Sequence, residues 1–253
     1  MRTGHVVWHE LMTDDPETAQ EFYAELLGWS GRAADDSNLP YQVLNDGYND
    51  VGGFFDTEQS QTGLQVNPTW FLYVSVEDIE RACEFTEANG GRVVAGPKMA
   101  DDVGGWATVR DLQGAPFALL ELADQPREAH TPPRPGEFCS YLMRSSGGEE
   151  SLVFSQLVCD EQTDTPPADA AGEPFLFHRD GRRVARLQVP GSLASLRAGI
   201  TAAIAVDDLE ATGERVEQLG GTVVLPTASA GPLGRLLIAE DPTGARVSFL
   251  CYP

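Results

Sequence analysis

The chain repeats itself at one fixed offset. Asp78-Ile79-Glu80 returns as Asp208-Leu209-Glu210, Gly90-Gly91-Arg92-Val93-Val94 as Gly220-Gly221-Thr222-Val223-Val224, and Asp111-Leu112-Gln113-Gly114-Ala115 as Asp241-Pro242-Thr243-Gly244-Ala245. Every pair keeps the same separation, 130 residues (78 to 208, 90 to 220, 111 to 241). A period this long marks a duplicated domain, because solenoid repeats run to about 20–50 residues. With 253 residues, each half is large enough to bury its own core. Any site built by one half therefore has counterpart positions in the other.

The boundary between the halves is legible. Residues 125–136 hold Pro126, Pro132, Pro133 and Pro135 among charged residues, without apolar periodicity, which predicts a linker. The domains are then 1–124 and 137–253, and a second Asp-, Thr- and Pro-rich stretch over 160–174 reads as a surface loop. Within the first domain, residues 6–12 read as a strand. Thr13-Asp14-Asp15-Pro16-Glu17 opens a helix over 17–27 whose Ala19, Phe22, Tyr23 and Leu26 form one apolar stripe, and Gly28 closes it. A hairpin over 41–55 turns at Asn45-Asp46-Gly47. The order restarts with a strand over 70–76, a helix from Asp78 to Ala88, and strands over 92–94, 106–109 and 116–122. Third and fourth modules begin at Phe138 and Thr201, and 175–187 repeats the hairpin around Arg179-Asp180-Gly181.

Composition removes several classes of function. A net charge of −22 argues against nucleic acid and anionic membranes, which need clustered Lys and Arg. No run of about 18 apolar residues is present to span a membrane, and the start lacks an apolar signal core, so a cytoplasmic protein is expected. Cys83, Cys139, Cys159 and Cys251 are scattered and read as reduced core residues. There is no G-x-S-x-G, phosphate loop or dinucleotide fingerprint.

Three phrases carry a resemblance. They are the run from Asp14 to Trp29 with Phe22-Tyr23 and Leu27-Gly28-Trp29, the pair Val74-Ser75-Val76-Glu77-Asp78 and Gly90-Gly91, and Asp241-Pro242-Thr243-Gly244. Together they resemble the vicinal oxygen chelate superfamily, which includes glyoxalase I, extradiol dioxygenases and bleomycin-resistance proteins. The tandem form is similar to actinobacterial two-domain glyoxalase-like proteins. The resemblance implies an α+β fold of two tandem glyoxalase-like domains, each of two βαβββ modules curling into a half-open β-barrel around a ligand cavity.

In the family's metal-dependent members, a His, Gln or Glu stands seven residues before each helix-opening Asp, and a Glu seven after the Asp of the last turn. The matching positions here hold Trp8, Phe71 and Ala118 in the first domain and Ser140, Thr201 and Ser248 in the second. The last ligand position falls near 52–54, which offers no strong donor. Trp, Phe and Ala cannot coordinate a divalent ion and neutral hydroxyls do so poorly, so neither a metal nor another cofactor is expected. An off-register set drawn from His5, His9, Glu10 and Glu121 is the remaining alternative.

Strand alternation then lines the cavities. Trp8, Glu10 and Met12, with Phe71, Tyr73 and Ser75 and with Ala118, Leu120 and Leu122, make the first cavity aromatic and apolar around one carboxylate. Ser140, Leu142 and Arg144, with Thr201, Ala203 and Ala205 and with Ser248, Leu250 and Tyr252, line a roomier second one. Trp8 and Phe71 either hold a flat ligand or fill a dead cavity as core. Glu10 is either a solvated rim group or a buried acid–base group, and Arg144 with Tyr252 either orients a carbonyl or anionic group or serves the surface.

The reading reached is metal-independent binding of a hydrophobic or aromatic small molecule, as in sequestration of a natural product or antibiotic. The alternative is a metal-free tailoring enzyme of secondary metabolism that uses Glu10, or Arg144 with Tyr252, for proton transfer or carbonyl polarisation. A third reading is an interaction protein with filled cavities. The expected partner is a small molecule, aromatic or cationic, bound by a monomer or homodimer.

Overall fold

A computed structural model of the chain describes residues 6–34, 41–58, 67–100, 104–112, 114–121, 133–144, 176–177, 183–187, 199–230 and 234–252. The first module comprises β1 (Val6–Thr13), α1 (Pro16–Leu27), β2 (Ser30–Ala33), β3 (Tyr41–Asn45) and β4 (Asp50–Asp56). The second comprises β5 (Thr69–Val76), α2 (Ile79–Ala88), β6 (Arg92–Ala100), β7 (Gly104–Arg110) and β8 (Pro116–Glu121). Of the third, β9 (Phe138–Arg144), β10 (Leu176–Phe177) and β11 (Arg183–Leu187) are described. Residues 145–175, which include the 160–174 loop, lie outside the described residues, as do residues 125–132 of the expected linker. The fourth runs β12 (Gly199–Ala205), α3 (Leu209–Gln218), β13 (Thr222–Ser229), β14 (Arg235–Glu240) and β15 (Arg246–Cys251).

The repeated Asp explains why each described helix starts where it does. The Asp15, Asp78 and Asp208 carboxylates accept the N–H of Thr18, Arg81 and Ala211 at 3.1, 2.9 and 2.9 Å, satisfying donors that a first turn leaves orphaned. Hydrogen bonding by Thr18 holds Asp15 below the usual carboxylate range. Gly28 closes α1 in the left-handed region at φ 74°, its N–H donating to Ala24 O.

The strands form two open sheets, ordered β2-β3-β4-β1-β5-β8-β7-β6 and β10-β11-β9-β12-β15-β14-β13. Two features went beyond the sequence reading. β2 has no apolar alternation and exists by pairing antiparallel with β3, Ser30 opposite Asn45 through Ala33 opposite Gln42. β6 runs on past Val94 through Gly96-Pro97, with register shifts on either side of Ala95. It is an edge strand, where a missing N–H and a bulge are tolerated.

The chain gathers into two compact units that interleave the modules. One holds Trp8–Phe71, Ala129–Cys139 and Thr201–Pro253, and so is built on the first and fourth modules; the other holds Met1–Val7, Leu72–Glu128 and Ser140–Ile200, built on the second and third. Among the described residues, no helix is long and apolar enough to cross a membrane.

Candidate functional site

Alternation along β1 sends successive side chains to opposite faces, and the register of its neighbours extends each face. Glu10 stands opposite Gly53 and Met12 opposite Phe55 on β4, while Tyr41 and Val43 of β3 stand opposite Phe55 and Gly53. One face therefore carries Trp8, Glu10, Met12, Tyr41, Val43 and Phe55. The other carries His9 and Leu11 with Leu44 and Phe54, and α1 covers it with Ala19, Phe22 and Tyr23.

On the face away from α1 the sequence builds a polar chain in apolar surroundings. Trp8 Nε1 donates to Tyr41 Oη at 2.6 Å, and the Tyr41 hydroxyl is hydrogen-bonded to the Glu10 carboxylate. Glu10 is only 8% exposed. Burial, then the charge of Glu10, pushes the Tyr41 phenol well above its ordinary value, so it stays protonated and keeps donating. Gly53 leaves room here, because a Cβ at that position would fall on the Tyr41 hydroxyl.

The α1 face holds a second chain of the same kind. Trp70 Nε1 donates to Tyr23 Oη at 2.8 Å, and Tyr23 donates to Asp241 Oδ2 at 3.1 Å. Around it, the Tyr23 ring stacks on Trp29 and meets Trp70 edge-on, and Phe138 lies against both tryptophans. Asp241 also accepts from Thr243 N, Thr243 Oγ1 and Ala245 N. Burial pushes the Asp241 carboxyl up, and these hydrogen bonds pull against it. His9 belongs to this face: its ring stacks on Phe138 at 3.7 Å, and its Nδ1 lies 3.1 Å from Val51 O.

The remaining sequence candidates fall on two further faces. Phe71 is buried and lies on the opposite side of β5 from Trp70. Further along that strand, Tyr73 stands opposite Ala118 and Ser75 opposite Leu120, and β7 adds Thr108 and Trp106 beside them. Lys98 Nζ sits 5.7 Å above the Trp106 ring. The α2 side of this sheet is the reverse one, where Ile79 N donates to Glu121 Oε2. In the fourth module, Ala203 pairs with Ser248 and Ala205 with Leu250, and Thr201 shares their face, away from α3. Ser248 is fully buried and its Oγ finds no hydrogen-bond partner among the described residues. Tyr252 Oη donates to Cys139 O at 3.2 Å. Ser140 is buried, while the side chain of Arg144 and all of Leu122 lie outside the described residues.

The structure thus joins Trp8 to Glu10 through Tyr41, a residue the sequence reading placed in the hairpin but not in the site. The available signal was the alternation of Tyr41 and Val43 before the Asn45-Asp46-Gly47 turn, with Gly52-Gly53 returning opposite them.

The positions matching the family's metal ligands do not fit a divalent ion. The one N–H of the Trp8 indole is spent on Tyr41, Phe71 and Ala118 have no donor atom, and Thr201 and Ser248 offer neutral hydroxyls. Among the described residues, no three of His, Cys, Asp and Glu gather as a metal site would need.

Residues 2–119 match the model of the Glyoxalase/Bleomycin resistance protein/Dioxygenase superfamily. That match takes in a little under half of the chain, which is similar to the superfamily over this segment, and the likeness in fold runs further. A catechol 2,3-dioxygenase structure superposes with a TM-score of 0.58 over 99% of this chain and 88% of its own, at 13% identity, which bears on fold alone. A candidate glyoxylase of Mycobacterium tuberculosis, CFP32, is 34% identical over 49% of this chain, and the match takes in 46% of that relative's own length. The anthracycline biosynthesis protein DnrV of Streptomyces peucetius is 24% identical over 97% of this chain and 92% of its own.

Proposed function

We propose that the face of the first module bearing Trp8, Glu10, Met12 and Tyr41 binds a flat aromatic small molecule of secondary metabolism without a divalent metal. The observation that carries this reading is the Trp8–Tyr41 hydrogen bond. It occupies a position where metal-dependent relatives place a ligand with an aromatic pair suited to stacking, beside one buried carboxylate. The relationship to DnrV supports a polycyclic aromatic ligand.

Titrating the protein with a hydroxyanthraquinone such as alizarin, read by tryptophan fluorescence, tests it. Saturable quenching at one equivalent, lost in Trp8→Ala and retained in Ser248→Ala, is expected. Absence of saturable binding across a panel of polycyclic phenols and quinones would sink the proposal.

A second reading has its own support. A buried carboxylate anchored by a phenol that stays neutral suits general-base chemistry on such a molecule. Under that reading the chain is a metal-free tailoring enzyme, and Glu10→Gln keeps binding while turnover is lost.

A further inference from the structure

We infer that Trp8 and Tyr41 form a positioning pair that holds Glu10 as an ionised proton acceptor on the ligand face. The inference deepens the second reading above and rests on that face being the site.

The direction of the hydrogen bonds is fixed by chemistry. An indole N–H can only donate, so at 2.6 Å the proton between Trp8 and Tyr41 belongs to Trp8. Tyr41 Oη is then an acceptor towards Trp8, and its own proton goes to Glu10. A carboxylate among Trp8, Met12 and Phe55 would by burial alone favour the neutral acid. A donated O–H favours the charged form, and Trp8 strengthens that donor by polarising it.

The backbone is arranged for this contact. Gly53 stands directly across from both Glu10 and Val43, and its missing Cβ is the space the Tyr41 hydroxyl occupies. Nothing in the packing of the α1 face needs Tyr41, since that face is closed by Leu44 and Phe54. Held in this way, Glu10 can take a proton from an acidic C–H or phenolic O–H of the ligand. The bonding pair stays on the ligand as enolate or phenolate, and Glu10 becomes the carboxylic acid that returns the proton. No oxidant or reductant is consumed.

The pair is tested by following Glu10 itself. Protein carrying 13C-labelled glutamate carboxyls is titrated by NMR as wild type, Tyr41→Phe and Trp8→Phe, with Glu10→Gln assigning the signal. Loss of the Tyr41 hydroxyl should raise the Glu10 midpoint by about one pH unit, a tenfold gain in proton affinity. Trp8→Phe should move it the same way by less. An unchanged or lowered midpoint, in whichever of the two variants retains the wild-type fold by circular dichroism, overturns the inference. The readout needs no ligand, so a raised midpoint without alizarin binding would remove the proposed function and leave the positioning pair standing.

Discussion

Two chains of identical composition, Trp to Tyr to carboxylate, occupy opposite faces of the first module and do different work. Trp70–Tyr23–Asp241 ends on a carboxylate saturated by its own turn, which receives two backbone N–H groups and a hydroxyl besides Tyr23. It joins the Phe22-Tyr23 motif of the first module to the Asp-Pro-Thr-Gly turn of the fourth, inside one compact unit. Trp8–Tyr41–Glu10 ends on a carboxylate projecting from mid-strand rather than from a turn. The difference teaches that surroundings decide the role. A carboxylate caged by backbone donors is a fastener, whereas the proposal gives one hydrogen-bonded to a neutral phenol on an apolar face the role of proton acceptor towards a ligand.

The largest expected effect falls on the fastener. Asp241→Ala strips the acceptor from Tyr23 and from the turn, and should cost about 3 kcal/mol or more in denaturant unfolding. Tyr23→Phe leaves the Trp70 N–H and the buried carboxylate each short of a partner, and should cost about 2 kcal/mol by the same measurement. Gly53→Ala drives a Cβ into the Tyr41 hydroxyl; a loss of about 1–3 kcal/mol together with loss of alizarin binding would sharpen the contrast. Tyr41→Phe should cost no more than about 1 kcal/mol, and a larger loss would break the comparison by making both chains structural.

The Trp70–Tyr23–Asp241 chain also carries a pH signature. The folded-state value of Asp241 is raised by burial, so between its ordinary value and the raised one the folded protein holds more protons than the unfolded chain. Stability contributed there is present at the acid end and falls as pH rises through the window. Asp241→Asn should flatten that slope in urea midpoints measured across the acid range.

The fold was legible because its signals are local and repeated. Asp15, Asp78 and Asp208 cap helices at the positions the duplication marks, and Gly28 ends α1 through a conformation that glycine adopts easily. β2 was not legible, since its order comes from β3 alone. That Trp8, Glu10 and Met12 share one face of β1 followed from period-two alternation. Tyr41 did not, because it reaches Glu10 from two strands away across a glycine, and a sequence shows neither the partner strand nor the gap.

The central claim, that the Trp8 face takes an organic ligand without the superfamily's metal, is most directly tested by native mass spectrometry after equilibration with Mn(II), Fe(II) or Zn(II) and desalting. The account predicts a chain free of stoichiometric metal that still gains one equivalent of alizarin. One tightly held divalent ion per chain, lost in Glu10→Gln, would contradict it.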